Sequence, residues 1–449
     1  MDTTWSSDAT EALKLRFVRS DHDEAELSPD EQVLVRDFEP AFVYPIFGQE
    51  ETIFGYHDLE IQLRFASGSL NQFLQIKYKD KFPETSTVKP DDPEKILFEF
   101  IPPSYLKDWQ QFKQRVERDA KEFKPFGQRI GAFREISEDD DVESHGQING
   151  KGKGKARKTE TTTLPPRRWQ LIDVDRDNIE SNNDNDDDDD DQEVVFEAYW
   201  SNWDTPGFKE YHRKMQIFVL LYIEGAQYID EEDPRWEFVT LYERRKRRDG
   251  DGFSWHFAGY VSFYSFFCWP DTKRLRLAQF VLTGPYQSQG FGSALYTICY
   301  ENVLKRPEIS ELTVEDPSEP FEDMRDKCDL YTLIKAKALE GVTAPFDKTK
   351  LEQIRKQFKL ADLLTYVRNF FEYKQRQFYR LVEMILLLNL DQTNEQSLKD
   401  FRLTVKKRLY MFNKEMMGQL DEQEKKDKLQ ETFDNVVEGY KRVSEKFVA

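Results

Sequence analysis

The stretch PYQSQGFGSALY, residues 285–296, sets Gln287, Gly290 and Gly292 between an apolar run, FVLTG, and a segment that reads as a helix, SALYTICYENVL. Glycines at such a junction let the backbone approach a ligand closely, and the unsatisfied N–H groups of a helix start favour an anion. A pyrophosphate would be well served there. The two commonest phosphate loops do not fit. A dinucleotide fingerprint needs a third glycine where Leu295 stands, and a Walker-type loop needs Gly-Lys-Ser/Thr where Gly292 runs into Ser293. As a bare pattern, the spacing reads equally as a plain strand-to-helix turn.

Carboxylates are the other candidates. ELTVEDP offers Glu311, Glu315 and Asp316. As a strand it turns Glu311, Thr313 and Glu315 to one face and Leu312, Val314 and Asp316 to the other, unless a bulge or a strand end at Pro317 redirects them. Glu224 interrupts the apolar run LLYIEGAQ, where a helix-end residue turned to solvent is an equal reading. Cys268, Cys299 and Cys328 lie far apart, form no C-x-x-C pair and have no neighbouring His. That argues against a metal site, a disulfide framework and a covalent thiol carrier.

These groups need a framework, and the composition allows one. The 449 residues carry 35 Phe, 20 Tyr and 8 Trp, enough to bury two or three cores. The first 20 residues lack an apolar h-region, and QIFVLLYI and MILLLNL are too short to span a bilayer, so a soluble intracellular protein is expected. The net charge is −20, and half of it lies between Glu138 and Glu193, where 18 Asp and Glu face 8 Lys and Arg. Such a segment cannot build a core and reads as a disordered insert. So acidic a chain makes a poor partner for naked nucleic acid and a better one for a basic protein.

Hydrophobic periodicity divides the chain into an α+β domain at 1–137, the acidic insert at 138–193, a second α/β block at 194–347 and a helical region at 348–449. LEIQLRF alternates as a strand, and LKDWQQFKQRVERDAKEF reads as an amphipathic helix. In the second block, GFKEYHRKMQIFVLLYIEGA reads as one helix; WEFVTLYER, WHFAGYVSFYSFFCW and LRLAQFVLTG read as strands. In the last region Leu398, Phe401, Val405, Leu409 and Phe412 mark one apolar helix face, read as a core face.

In this setting Gln-x-x-Gly-x-Gly, after a strand and before a helix, resembles the acetyl-CoA loop of the Gcn5-related N-acetyltransferases. The wider sequence is similar to the type B histone acetyltransferases, through IFGQEETIFGY, EFKPFG, EYHRKMQIFVLLYIEGAQYID, RWEF, GYVSFYSFF, QFVLTGPYQSQGFGSALY and LTVEDPSEPFEDMRD. These run in order from about residue 38 to 326. The acidic insert after EFKPFG departs from that family's core pattern. The resemblance implies an acetyltransferase-type mixed sheet with helices, and acetyl transfer from acetyl-CoA to a lysine in a Gly-Lys-Gly context near the N-terminus of newly made histone H4. Histone deposition and chromatin assembly would be the setting.

Such a reaction has one obstacle. A free lysine is neutral in only roughly 1 of 2,500 molecules at pH 7, and presenting the amine costs about 4–5 kcal/mol. A carboxylate that takes the proton, a site that lowers the amine's pKa, or both are required; a partly buried Glu is the expected type. The resemblance implies Glu315 as general base, with Glu224 assisting and Asp316 adjacent. It implies a direct ternary mechanism, in which the tail lysine attacks the thioester without a covalent enzyme intermediate.

By the same resemblance Phe280, Val281 and Leu282 line the acetyl and pantetheine arm, their strand's N–H groups polarising the thioester oxygen. Gln287, Ser288, Gln289, Gly290, Phe291, Gly292 and Ser293 wrap the pyrophosphate. Arg325 either approaches acetyl-CoA or makes an internal salt bridge. Substrate contacts fall on Gln49, Glu50, Glu51, Trp236, Tyr264, Ser265 and Phe266: carboxylates to attract a basic tail, aromatics to flank a lysine stem. Trp236 and Tyr264 read otherwise as ordinary core aromatics.

A WD-repeat β-propeller histone-binding subunit is the implied partner, with residence in cytoplasm and nucleus. GKGKGKARK, at residues 150–158, resembles the tail such an enzyme modifies. Lys151, Lys153 or Lys155 would then be a pseudosubstrate or autoacetylation site, against a basic linker or a nuclear-import signal. The Asp run at 186–191 reads as a histone-binding tract or a solvated spacer. The rivals to the whole reading are an acetyltransferase for a different amine and a non-catalytic histone escort.

Overall fold

The computed structural model describes residues 5–83, 88–136, 169–172, 194–247, 252–340, 342, 348–360 and 376–447. They fall into two compact units. The first is drawn from Met1–Glu135, Trp169–Ser265 and Leu277–Ile298, and the second from Ile136–Arg168, Phe266–Arg276 and Cys299–Ala449. The expected α+β class holds. The partition follows contacts rather than the boundaries drawn from composition: the N-terminal block shares one unit with much of the second block. Most of the acidic insert, including Lys151, Lys153, Lys155 and the Asp run, lies outside the described residues.

In the first unit β1 (Leu13–Val18) runs parallel to β2 (Glu60–Ala66), which pairs antiparallel with β3 (Gln72–Lys77). Leu13, Leu15 and Phe17 alternate into the core, as the period-two pattern requires. The amphipathic helix α1 (Trp109–Glu122) starts at Asp108, whose side chain accepts from the Gln111 N–H, and it buries Phe112 and Val116.

A larger sheet comprises β4 (Gln128–Glu135), β5 (Trp169–Ile172), β6 (Val195–Asn202), β7 (Trp236–Lys246), β8 (Phe253–Cys268) and β9 (Thr272–Leu282), in the order β9-β8-β7-β6-β4-β5. One residue of β8, Ala258, bulges opposite the Leu241–Tyr242 step of β7. Along β9, Leu277, Gln279 and Val281 are buried, while Phe280 and Leu282 on the other face are half-buried.

The segment read as one helix is two: α2 (Phe208–Met215) and α3 (Ile217–Tyr222). α3 is apolar almost all round because it lies within the core. The helix α4 (Phe291–Lys305) is apolar for the same reason, and its first-unit part packs so closely on β4 that a Cβ on Gly131 would stand 2.7 Å from Ile298.

His212 of α2 is 1% exposed, with rings of Trp203 and Phe238 each 4.9 Å away and, among the described residues, no hydrogen-bond partner for Nε2. Burial pushes its pKa down to about 3. A histidine with a depressed folded-state pKa stabilises fully above its unfolded pKa, near 6.5, and loses that contribution as pH falls toward the folded value. The loss reaches on the order of 4–5 kcal/mol by pH 3. The unfolding midpoint of the wild type is therefore expected to fall more steeply from pH 6.5 to 4 than that of His212→Phe, which has no proton to take up. Parallel pH profiles in thermal unfolding would exclude it.

The second unit holds β10 (Ile309–Val314), tied to the beginning of β9 by the Lys273 N–H to the Glu308 carbonyl, 2.8 Å. Four longer helices follow: α5 (Glu319–Lys335), α6 (Arg376–Leu388), α7 (Glu395–Phe412) and α8 (Glu422–Ser444). On α7, Phe401, Val405 and Leu409 are buried as read; Leu398 is only half-buried and Phe412 is 46% exposed, so the stripe is core at its centre alone. The fully buried Glu383 of α6 accepts two bonds from Arg408 of α7, 2.8 and 2.9 Å, and one from the Tyr440 hydroxyl of α8, 2.7 Å. That charge-assisted network satisfies both carboxylate oxygens.

Candidate active site

The loop singled out by its glycines is a cradle of open backbone donors. β9 ends at Leu282, the turn Gly284–Tyr286 follows, and α4 opens at Phe291. Ser288 and Gly290 have φ of +62° and +90°, left-handed backbone on either side of Gln289. Among the described residues, no protein acceptor meets the N–H groups of Ser288, Gln289, Gly290, Phe291 or Gly292. Gln287 and Gln289 bond back to the carbonyls of Leu282 and Pro285, both at 2.7 Å, so their side chains shape the loop. A Cβ on Gly290 would meet Trp169 Cδ1 at an ordinary contact distance, 3.8 Å, and its φ of +90° is one that glycine adopts freely. Exposed donors at the start of a 15-residue helix fit a pyrophosphate.

The strand that feeds the loop presents two faces. Val281 is buried in the core, so it can offer only its backbone to an acyl arm, while Phe280 and Leu282 keep partly accessible side chains. Ser293 is half-buried and lies one residue inside the first turn of α4 from Gly292. Arg325 is a different matter. It is 7% exposed on α5, 3.6 Å from Asp329 in an internal salt bridge, among Glu322, Asp326, Gln377 and Arg380.

The carboxylates differ in setting. β10 stops at Val314, so Glu315 and Asp316 lie in the bend beyond the strand, and strand alternation does not govern them. Asp316 has φ of +33° and is exposed. Glu315 is not the partly buried acid expected: its side chain is 40% exposed and pairs with Arg276 at 3.0 Å. Arg276 in turn lies over the Phe266 ring, 4.5 Å from its centroid. Glu311, by contrast, is buried against Arg274 and Arg355, an internal network rather than a reactive group. Glu224 is exposed in the turn after α3, whose next amide, Gly225, donates to the Tyr44 hydroxyl at 2.7 Å.

The proposed substrate residues separate into two groups. Gln49 and Glu50 are exposed, but Glu51 accepts from the Val43 and Tyr44 amides at 3.2 and 3.1 Å and so caps a short helix at Tyr44–Phe47. Both bonds go to Oε1, so one oxygen of this half-buried carboxylate has a structural use. Trp236 and Tyr264 face each other across β7 and β8, ring centroids 4.8 Å apart. The Tyr264 hydroxyl donates to Asp233 at 2.9 Å, and Arg235 covers the same ring at 4.6 Å. Arg235 holds the Asp233 carboxyl well below the ordinary carboxylate range. Ser265 is buried and donates to Glu237 at 3.2 Å. Asp233 and Arg235, which fix Tyr264, were missed by the sequence reading; the DPRW run beside Trp236 was the available signal.

Among protein families, the chain matches one described as histone acetyl transferase HAT1 N-terminus over residues 5–224, and one described as fungal HAT1, C-terminal, over residues 364–391. A protein of Cryptococcus neoformans var. neoformans serotype D, named histone acetyltransferase type B catalytic subunit, is 44% identical over 440 residues, covering 98% of this chain and 97% of its own. A protein of the same name from Mycosarcoma maydis is 40% identical over 453 residues, covering 98% and 88%. Among solved structures, an aminoglycoside acetyltransferase from an uncultured soil metagenomic sample matches 32% of this chain and 87% of its own, at 11% identity. Its TM-score of 0.21 is too low to bear on function.

Proposed function

The chain belongs to the family of type B histone acetyltransferase catalytic subunits, and from that membership we propose that it acetylates a lysine flanked by glycines in the N-terminal tail of newly made histone H4. Acetyl-CoA, when bound, supplies the activated acyl group. The observation that carries the reading is the cradle itself: the five open amides of Ser288–Gly292 at the start of α4, suited to a pyrophosphate. The partly accessible Phe280 and Leu282 side chains border the path of the acyl arm, and the β9 backbone supplies N–H donors for a thioester oxygen.

Glu315 removes the proton from the lysine ammonium; its ion pair with Arg276 fixes the carboxylate's position. Glu224 assists by offering a second carboxylate. The exposed Gln49 and Glu50 attract the basic tail, and the Trp236–Tyr264 pair flanks the lysine stem. Glycines on both sides of the lysine let an extended tail lie close to the protein. The partner is a WD-repeat β-propeller histone-binding subunit, and the enzyme works in cytoplasm and nucleus.

The test is acetyl-CoA with an H4 tail peptide, read by mass, with a small polyamine as competitor. One acetyl group on a Gly-Lys-Gly lysine, unaffected by the polyamine, is the expected result. Acetylation of the polyamine with the peptide untouched would assign the enzyme to another amine. No acetyl transfer to either would leave a histone escort.

A further inference from the structure

Beneath the cradle lies a buried ionic network that the chemistry above does not use. Arg19, just past β1, is 1% exposed and donates through Nη1 and Nη2 to the two oxygens of Glu243 on β7, at 3.0 and 2.9 Å. The Tyr286 hydroxyl donates to Glu243 Oε2 at 2.8 Å and accepts from Arg19 Nη2 at 3.2 Å. Arg245 adds a further bond, from Nε to Glu243 Oε1. Tyr286 is the last residue of the turn before Gln287, and its ring meets those of Phe196 and Phe291 at 6.1 and 6.2 Å. Phe291, at the other end of the loop, lies 4.3 Å from Phe196. Both ends of an exposed loop are thus pinned, one by a tilted ring contact and the other by a hydroxyl held on a buried charge pair.

Building on the acetyl-CoA reading, we propose that Tyr286 is a positioning residue for acetyl-CoA, its hydroxyl tethering the pyrophosphate loop to the Arg19–Glu243 pair so that the donors of Ser288–Gly292 stay preorganised. The pair does not need the tyrosine to remain satisfied. Arg19 and Arg245 between them occupy both Glu243 oxygens, so removing the hydroxyl frees the loop without stranding a buried charge. A loop that must be ordered at binding lowers affinity by the ordering cost, and that cost falls on acetyl-CoA alone.

The second unit contains a built-in control. Tyr440 makes the same kind of bond to a buried Arg408–Glu383 pair, with no loop attached. For Tyr286→Phe the calorimetric Kd for acetyl-CoA is expected to rise about fivefold or more, the worth of roughly one net hydrogen bond. The kcat at saturating acetyl-CoA and the KM for histone peptide are expected to stay at wild-type values. Arg19→Lys, which keeps the charge but loses the fork, should shift Kd in the same direction.

Tyr440→Phe should lower thermal stability comparably and leave Kd unchanged. An unchanged Kd in Tyr286→Phe, or an equal rise in Tyr440→Phe, overturns the tether and leaves both tyrosines as structural. Wild-type protein that fails to bind acetyl-CoA at all overturns the underlying reading instead, so the two failures are distinct.

Discussion

Glu315→Gln is expected to cut kcat for histone-tail acetylation by about 100- to 10,000-fold, the range over which a positioned general base acts, while the Kd for acetyl-CoA stays where it was. The substitution is nearly isosteric and keeps a carbonyl oxygen for Arg276, which stands 3.0 Å from the carboxylate, so its effect is confined to proton transfer. The pH profile gives a second readout. An amine that loses its proton to solvent becomes about tenfold more abundant per pH unit below its pKa of roughly 10.4, so the variant's residual rate should climb with pH at that slope. Wild-type activity should climb less, because Glu315 already serves that step. A variant as fast as wild type at pH 7 would move the base to Glu224, exposed beyond α3, or to Asp316, held at positive φ in the same bend.

The elements that carry the candidate residues were legible where short-range rules govern them. The glycine spacing marked the loop, and the buried α4 followed from an apolar run behind it, because both signals lie within about 20 residues. Alternation failed at ELTVEDP. A strand pattern cannot report where hydrogen bonding stops, and here it stops at Val314, before Glu315 and Asp316. GFKEYHRKMQIFVLLYIEGA reads as one helix because no glycine or proline interrupts it between Phe208 and Glu224, yet the chain divides between Met215 and Ile217. The Glu51 cap, the Asp233–Tyr264 bond and the Arg19–Glu243–Tyr286 network span 7 to 267 positions along the chain. The longest of these connect residues whose types are ordinary and whose separations carry no pattern. Arg19 sits in LRFVRS like any strand-end arginine; only the fold reveals that it is buried.

The same limit hides the second large effect, at Gly259. In the sequence it is one glycine inside a strand, AGYVSF, the kind of position that reads as a bulge or a close approach without saying to what. In the fold, a Cβ there would stand 2.2 Å from the Val281 carbonyl oxygen and 3.0 Å from Leu282 Cα, both backbone atoms that cannot swing aside. The neighbouring Ala258 bulge leaves little slack, since its carbonyl already accepts from the Thr283 amide at 3.0 Å and hydroxyl at 3.1 Å. Gly259→Ala must therefore push β9 away from β8 at Val281 and Leu282, two of the three residues proposed to line the acyl arm. The expected cost is roughly 3 kcal/mol of stability, at the upper end of what overpacking brings. A displacement of about 1 Å in the positioning strand should lower kcat/KM by about 100-fold. Urea unfolding and peptide acetylation, each measured at 10 °C where the variant is still folded by circular dichroism, separate the two consequences. If stability falls while kcat/KM of the folded fraction matches wild type, β9 has room to shift without moving the site, and Val281 and Leu282 do not line the acyl arm.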